Sequence, residues 1–378
     1  MRLMLVSQVV FGQQLGATRR IQSVARALVR IGHEVTVVAP GRELDTPPSI
    51  RRVRPPGVLK PGARMEAALA SIAFTEALRA KTDGALVRLS ATTSFCPLLL
   101  STRIPVVVEL DGRVLDQLRA SGRDEASIRL VRESLSAVVK RSKGVLALGE
   151  RAAEHARRFL GAQDVRVIHD GVDLDQLTPG DRGDARARLG IDEDVTVVTL
   201  TGKLEDLELM PLFQAQRALG FTLLVAGQGP DERAIVAESK RAGAPPIIVR
   251  SVRSRGESVD EIRAANVCLN VRRFDLGAAA DYAAVGRRFV SFATGANRLD
   301  NAYPKGLAAA FFVDTHEAEG LVEAITAAFR AERELGTLAP EHVDLARESL
   351  GWTHTAMVIS DAFERACARR RPGARTAG

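Results

Sequence analysis

The chain has 378 residues, of which 46% are hydrophobic and 4% aromatic, and its formal net charge is +7. This length predicts two domains of ordinary size, with cores built from aliphatic side chains. No apolar stretch approaches the roughly 20 residues of a bilayer-spanning helix. The N-terminus runs directly into a strand pattern without a signal-peptide cleavage site, so we expect a cytoplasmic protein.

The excess positive charge is mostly arginine spread over helical segments, with a further basic cluster in the C-terminal ARRRPGARTAG. Basic chains attract anions. No aromatic interleaving or RNA-binding motif indicates nucleic acid, and the remaining expectation is peripheral attraction to an anionic membrane surface. Three scattered cysteines, Cys96, Cys268 and Cys367, include no CxxC pair. They argue against a disulfide framework and against a structural zinc site.

In the first half, short β-branched runs alternate with segments rich in Ala, Leu and Arg, which predicts a parallel sheet with helical crossovers. The first crossover helix is predicted over 17–32, where Ile21, Ala25 and Leu28 recur at helical spacing and Gly32 ends the pattern. The predicted strands of this half are 2–8, 33–40, 85–90, 104–110, 144–149 and 165–171.

The segment VVFGQQLGATRR between the first strand and this helix contains Gly12 and Gly16, and the helix is predicted to begin near Ala17 or Thr18. A helix N-terminus offers unpaired N–H groups and a positive dipole end, which suit a phosphate or an acidic acceptor. The alternative is a tight turn. The loop is not GxGxxG, and no acidic residue ends the second strand, so NAD binding is not expected.

Asp111 follows the strand IPVVVEL and lies beside Glu109. A polar residue just beyond the carboxyl end of a strand favours function. The alternative is that Asp111 and Gly112 simply form a turn.

The second half repeats the alternation after a polar stretch, 173–190, that is predicted to be an interdomain linker leading into a helix. The expected fold is therefore two doubly wound α/β domains, 1–172 and 173–351, in which ligands bind beyond the carboxyl ends of the strands. A last helix, 352–370, has no strand after it and is free to pack back on the other domain. The predicted strands of this half are 195–202, 221–227, 246–252, 266–271, 288–292 and 309–314.

Five segments in this order resemble the retaining GT-B glycosyltransferases, family 4-like, of the group that includes glycogen and sucrose synthases. They are GATRR with LVRIGHEVTVVAP, LALGERAAEHARRFLG, VRVIHDGVDLDQLTP, LLVAGQGPDERAI and FDLGAAADYAAVG, and Gly351-Trp352 matches the start of the family's last helix. The resemblance implies two Rossmann-like domains facing across a cleft, with residues 352–378 crossing back to the first domain. It also implies transfer of a sugar from a UDP- or GDP-sugar to a glycan, lipid or small-molecule acceptor, with retention and without a metal or other cofactor.

In that family the donor pyrophosphate is bound by an arginine and a lysine, and two glutamates eight positions apart bind the sugar and the ribose. The arginine position falls on Lys203, so a cation is kept. The lysine position falls on Glu208, and a carboxylate beside a pyrophosphate is repulsive. The ribose glutamate falls on Asp281, which is one methylene shorter and still accepts hydroxyl hydrogens.

The family's sugar-binding glutamate falls on Arg273, and Asp275 is the alternative carboxylate if the loop follows a different course. Gly277 and Ala278 fall in the loop whose N–H groups face the phosphate. The resemblance thus assigns catalytic roles to Lys203 and Asp275. It assigns nucleotide binding to Lys203, Arg273, Gly277, Ala278 and Asp281.

Gly227 and Gly229, in AGQGP, match glycines that let the chain pass near the nucleotide. In the first domain, the position of the family's cleft histidine falls on Asp111 or has no counterpart. Where it falls on Asp111, a catalytic role next to the acceptor is expected for this residue. Gly16 lies in the loop that the resemblance places next to the acceptor.

Two functions remain open. One is an active retaining glycosyltransferase with an altered donor site, in which Arg272, Arg273, Arg287 or Arg288 replaces the missing cation. Losing one leaving-group contact typically costs roughly 3–4 kcal/mol. The other is a catalytically inactive homologue that serves as a scaffold or activating subunit, in a homodimer or in a heterodimer with another glycosyltransferase. Other GT-B reactions, such as epimerisation or phosphorolysis, are less favoured, and no pyridoxal-phosphate lysine motif supports a phosphorylase.

Overall fold

The chain divides into two compact α/β units, which are residues 1–171 with the segment from Trp352 onward, and Val172–Gly351. The computed structural model describes residues 1–8, 15–40, 50–53, 63–90, 95–110, 114–120, 122–169, 171–251, 258–272, 278–292, 310–313 and 317–368.

The first unit is built on a seven-stranded parallel sheet with the order β3-β2-β1-β4-β5-β6-β7. Its strands are β1 (Arg2–Val6), β2 (Glu34–Val38), β3 (Ile50–Val53), β4 (Gly84–Arg88), β5 (Val106–Leu110), β6 (Gly144–Leu148) and β7 (Val165–Ile168). The helices up to β7 are α1 (Leu15–Arg30), α2 (Ala63–Arg79), α3 (Phe95–Leu100), α4 (Val114–Ala120), α5 (Glu125–Arg141) and α6 (Glu150–Leu160). The strand order reverses between β1 and β4, so the exits of these two strands diverge.

The second unit repeats this topology in a six-stranded parallel sheet with the order β10-β9-β8-β11-β12-β13. Its order reverses between β8 and β11. The strands are β8 (Val197–Lys203), β9 (Thr222–Gln228), β10 (Ile247–Arg250), β11 (Val267–Asn270), β12 (Phe289–Phe292) and β13 (Ala310–Val313). The helices are α7 (Arg182–Leu189), α8 (Leu209–Leu219), α9 (Glu232–Ser239), α10 (Val259–Ala264), α11 (Ala279–Val285), α12 (Ala318–Leu335) and α13 (Pro340–Leu345), followed by a π-helical turn, Ala346–Leu350.

Both sheets are covered by helices on both faces, which is why their strands are continuous apolar runs rather than alternating ones. In β1, Met4 and Val6 enter one core cluster while Leu3 and Leu5 enter the cluster on the opposite face. Burying each such side chain contributes about 1.5–3 kcal/mol.

The last described element is α14 (Trp352–Ala368), which belongs to the first unit. Its apolar stripe includes Ala356, Ile359 and Phe363, which are fully buried in the core cluster that also contains residues of α1. A Cβ on Gly84 would lie 2.7 Å from the Phe363 ring, so a glycine is required at the start of β4 for the helix to pack this closely.

The predicted fold class, two doubly wound parallel sheets, is confirmed. Each predicted strand overlaps an observed one. The strand β3 was not predicted, because the edge strand IRRV is only four residues long and half of them are arginines. The predicted linker 173–190 is wrong in part. Leu177 is buried, and the Arg263 guanidinium donates to the Thr178 carbonyl at 2.9 Å, so this stretch packs as part of the second unit.

Among the described residues, no helix combines the length and the apolar character that crossing a membrane requires.

Candidate functional site

Lys203 is the last residue of β8, at the carboxyl edge of the second sheet beside the point where the strand order reverses. Its side chain is 62% exposed, and its ammonium forms an ion pair with the Glu205 carboxylate. Glu208, which the sequence resemblance aligns with the family's lysine, immediately precedes α8. The loop therefore carries one cation and two carboxylates at these three positions.

The backbone of the loop after β8 is held from both neighbouring strands. The Leu204 and Leu207 N–H groups are bound on the β9 side, and the Glu208 N–H is bound on the β11 side. Their acceptors are Gln228 O at 2.9 Å, Asp231 Oδ2 at 3.0 Å and Val271 O at 2.9 Å, respectively. These contacts fix the positions from which the Lys203 and Glu208 side chains project.

Three glycines allow this loop to lie against the exit of β9. A Cβ on Gly227 would lie 1.9 Å from the Gly202 carbonyl oxygen, and a Cβ on Gly229 would lie 2.1 Å from the Leu204 carbonyl oxygen. Gly202 itself has φ +106°, a conformation that side chains disfavour. The structure therefore explains Gly227 and Gly229 by backbone packing, and their predicted contact with the nucleotide stays a prediction.

The exit of β11 lies on the other side of the reversal point. Arg272 follows Val271 there and forms an isolated antiparallel bridge with Leu207 of the β8 loop. Ala278, which directly precedes α11, is buried, and its Cβ lies 4.0 Å from the position that a Gly202 Cβ would take. Residues from both strand exits thus meet at this edge.

Asp281 lies in the first turn of α11 and is only 1% exposed. A buried carboxylate is costly unless hydrogen bonds or ion pairs compensate it. The buried position of Asp281 at the start of α11 therefore requires such compensating interactions. Arg273, Asp275 and Gly277 lie outside the described residues.

The suggestion that Arg287 or Arg288 replaces the missing cation is wrong. Both precede β12 and so lie at the amino edge of the sheet, opposite to Lys203. They are buried, and the Arg287 Nη2 donates to the carbonyls of Arg263 at 2.7 Å and Gly180 at 3.1 Å. Burial lowers the pKa of Arg287 to about 10. These guanidiniums hold backbone carbonyls, not a ligand at the carboxyl edge.

In the first unit, Gly16 lies inside α1, because this helix begins at Leu15 rather than near Ala17 or Thr18 as predicted. An N-terminal turn that extends by two or three residues is within the usual uncertainty of helix boundaries. Gly12 and Asp111 lie outside the described residues.

The carboxyl edge of the first sheet contains a buried charged cluster that was not predicted. The Arg20 guanidinium on α1 donates to both Glu109 carboxylate oxygens, at 3.1 and 3.0 Å, and Arg88 donates to Oε1 at 2.8 Å. Arg20 and Glu109 are each 4% exposed. Together with Ser7 they line a cavity of about 20 Å³, which is water-sized, at the reversal point between β1 and β4.

One signal for this cluster was present in the sequence. Glu109 stands inside the apolar run VVVEL, and a carboxylate buried in a parallel strand needs a cationic partner. The partner could not be chosen among the many arginines, because Arg20 is 89 residues away along the chain.

Arg20 also reaches the end of β7 and the start of α14. It donates to the His169 carbonyl at 3.3 Å, and its guanidinium lies 5.7 Å from the centre of the Trp352 ring. A Cβ on Gly171 would lie 2.3 Å from the same ring. The Gly351-Trp352 pair of the sequence resemblance thus places Trp352 against the chain segment that leaves the first unit.

Among the described residues, no group of three His, Cys, Asp or Glu side chains is placed to hold a metal ion. The second carboxyl edge instead offers an exposed ammonium, a half-buried guanidinium and a buried carboxylate, in Lys203, Arg272 and Asp281. Such a set can bind the phosphates and hydroxyls of a polar ligand.

Residues 16–176 match the family model Glycosyltransferase Family 4. Over its whole length the chain is also similar in structure to a sucrose-phosphate synthase from Thermosynechococcus elongatus, with a TM-score of 0.76 and 16% identity over 98% of this chain and 100% of that one. The sequence match supports the predicted relationship to glycosyltransferase family 4 over residues 16–176, and the structural similarity confirms the predicted GT-B fold.

Another structural neighbour is HepE from Anabaena, solved in complex with UDP. The TM-score is 0.70 and the identity 14%, over 96% of this chain and 100% of that one. At this level of identity the likeness shows the fold alone. The family match ends at residue 176, so the edge that carries Lys203 and Asp281 lies beyond it.

Curated proteins similar in sequence to parts of this chain include D-inositol 3-phosphate glycosyltransferases. The enzyme from Mycobacterium sp. strain KMS is 42% identical over 73 residues, which is 19% of this chain and 15% of that protein. The enzyme from Mycolicibacterium gilvum is 29% identical over 219 residues, which is 55% of this chain. The chain therefore spans 48% of the second relative and only 15% of the first.

Proposed function

We propose that this protein is a glycosyltransferase that moves a sugar from a UDP- or GDP-sugar to an acceptor with retention of the anomeric configuration and without a metal ion. The single observation that carries the proposal is the placement of Lys203 and Asp281. The sequence resemblance aligns both with donor-site positions of the family. Lys203 ends β8 and Asp281 lies in the first turn of α11, the helix that follows β11, and the second sheet reverses its order between β8 and β11. Ligands of doubly wound sheets bind at such a point.

In this proposal the Lys203 ammonium contacts the donor pyrophosphate and Asp281 accepts hydrogen bonds from the ribose hydroxyls. Arg272 is the described cation best placed to assist, because it follows β11 directly and its backbone pairs with the β8 loop. Departure of a nucleoside diphosphate leaves about two negative charges, which metal-free enzymes stabilise with fixed cations and amide groups. Complexes of the neighbour HepE with UDP and with UDP-glucose support UDP as the first nucleotide to test.

The acceptor is proposed to bind at the first unit, next to the α1 N-terminus and Asp111. The acceptor class stays broad: a glycan, a lipid or a small molecule. The names of the curated relatives make D-inositol 3-phosphate a natural first small molecule to test.

The test is calorimetric titration with UDP, GDP and their glucose and mannose derivatives, followed by turnover assays with the donor that binds. Lys203→Ala is expected to lower turnover of the donor about tenfold. This loss is smaller than that expected from removing a buried contact, because the Lys203 side chain is 62% exposed and its charge is screened by solvent. Lys240→Ala, an exposed lysine just after α9, is the matched control. NMR of the product reports retention, and turnover that persists in EDTA reports metal independence. Absence of binding at millimolar nucleotide refutes the proposal.

One observation favours the second candidate, an inactive homologue that activates or scaffolds a partner enzyme. The loop after β8 pairs the Lys203 ammonium with Glu205 and adds Glu208 where the family has a lysine. Both features weaken the attraction for a pyrophosphate. Copurification with an active glycosyltransferase, together with no turnover by the isolated chain, supports this candidate, whereas turnover by the isolated chain refutes it.

A further inference from the structure

The hydroxyl of Tyr282 lies between the two strands at which the second sheet reverses its order. Tyr282 Oη accepts the backbone N–H of Thr201 on β8 at 2.9 Å and donates to the carbonyl of Leu269 on β11 at 2.9 Å. The Thr201 hydroxyl approaches the same oxygen at 3.3 Å. A phenolic hydroxyl has one hydrogen to donate and two lone pairs, so these contacts use its full capacity.

This bridge coincides with the end of direct strand pairing. The β8–β11 pairs stop at Leu200 opposite Leu269, whereas the β8–β9 pairs continue to Lys203 opposite Gln228. Beyond Tyr282, the two exits come together again through the Leu207–Arg272 bridge. The hydroxyl therefore stands at the base of the segment in which β8 and β11 part.

The Tyr282 hydroxyl gives α11 a directional contact with β8 and β11. The seven residues of this helix, AADYAAV, are all buried, and most of them are alanines. The contacts of alanine methyl groups have no preferred direction, whereas hydrogen bonds are directional. Burial raises the pKa of Tyr282 well above its ordinary value, so the hydroxyl keeps the proton that it donates to Leu269.

We propose that Tyr282 is a positioning residue for the donor site, which sets the separation of the β8 and β11 exits and the rotation of α11. Through this bridge the direction of the adjacent Asp281 carboxylate is fixed relative to Lys203. The inference rests on the proposed function for its consequence, nucleotide binding. Its structural part, the bridge itself, is testable without any nucleotide.

The test compares Tyr282→Phe with Val285→Ala. Tyr282→Phe removes only the hydroxyl, whereas Val285→Ala leaves a cavity in the same helix, where Val285 is fully buried, and keeps the bridge. In the ligand-free protein, amide hydrogen exchange at Thr201 is expected to accelerate about tenfold in Tyr282→Phe, because its N–H loses a hydrogen-bond acceptor. Exchange at Thr201 is expected to change much less in Val285→Ala once overall stability is taken into account.

In turnover assays, Tyr282→Phe is expected to raise the KM for the donor about tenfold and to leave the KM for the acceptor unchanged, while Val285→Ala changes neither. A merely structural role predicts instead that both variants lose stability and keep both KM values. Unchanged exchange at Thr201, or unchanged donor KM despite faster exchange, overturns the inference. If the unaltered protein binds no nucleotide, the proposed function fails by itself, and the exchange experiment still decides whether Tyr282 holds the two strands.

Discussion

Replacing Gly227 by alanine tests the close packing that builds the second carboxyl edge. The added Cβ would lie 1.9 Å from the carbonyl oxygen of Gly202 on the neighbouring strand. Real Cβ atoms essentially never approach within 3.0 Å, so the two backbones must separate by at least 1.1 Å. The obstacle is a backbone carbonyl rather than a flexible side chain, and Gly202 already has φ +106°. The loss of stability should therefore reach the upper part of the range for overpacking, about 3 kcal/mol.

For a unit of this size, about 3 kcal/mol corresponds to a fall in Tm of roughly 6–12 °C. Differential scanning calorimetry and urea unfolding measure it, and the transition that shifts should belong to the second unit. Gly144→Ala is the matched control, since a Cβ there meets nothing within 4 Å. If the free energies of unfolding of Gly227→Ala and Gly144→Ala differ by less than about 0.5 kcal/mol, the close backbone contact does not require glycine at position 227. The same substitution should weaken nucleotide binding, because the displaced Gly202 carbonyl directly precedes Lys203.

Three further predictions concern charged groups. Glu109→Gln leaves the Arg20 guanidinium buried without its carboxylate and should destabilise the first unit by about 3–5 kcal/mol. Urea unfolding measures the loss, with the exposed Glu125→Gln as the control. Equal losses of stability in the two variants would contradict the prediction. Burial lowers the pKa of His342, so the unfolded state takes up the proton at a higher pH than the folded state. The free energy of unfolding should therefore fall as the pH drops below about 6.5. Thermal unfolding at pH 7.5 and 5.5 measures this, and the same pH dependence in His342→Gln would contradict the assignment to His342. Glu208→Lys should raise donor turnover at least about tenfold, whereas Glu334→Lys, on an exposed position of α12, should not; equal rates would show that Glu208 does not face the pyrophosphate.

The sequence predicted the sheets because their strands are buried on both faces and therefore read as apolar runs between helical segments. The same rule missed β3, since an edge strand with the sequence IRRV has too few apolar residues to stand out. It also predicted that Lys203 follows a strand, and Lys203 is the last residue of β8, at the carboxyl edge of the sheet.

Contacts between residues far apart in the chain were beyond this reasoning. Arg287 and Arg288 were candidates for the carboxyl edge only because the chain carries many arginines, although both stand just before a strand and so belong to the amino edge. The Arg20–Glu109 pair and the Tyr282 bridge depend on side-chain directions that periodicity does not specify. Asp281-Tyr282 could have been singled out, because a tyrosine among alanines in a buried helix needs a hydrogen-bond partner.

Two kinds of interaction shape the second carboxyl edge. One is a frame of neutral contacts that holds the strand exits, and the other is the set of charges on the loop after β8. The glycine contacts at Gly227 and Gly229 and the hydroxyl bridge at Tyr282 are neutral interactions that hold the strand exits whatever charge the loop carries. Lys203 keeps the family's positive charge, whereas Glu208 reverses the charge of the family's lysine. The glycines of the frame are required for the second unit to pack at all, whether or not a ligand binds, because their close contacts are with backbone carbonyls. The charges of the loop, rather than its frame, therefore separate an active enzyme from an inactive homologue.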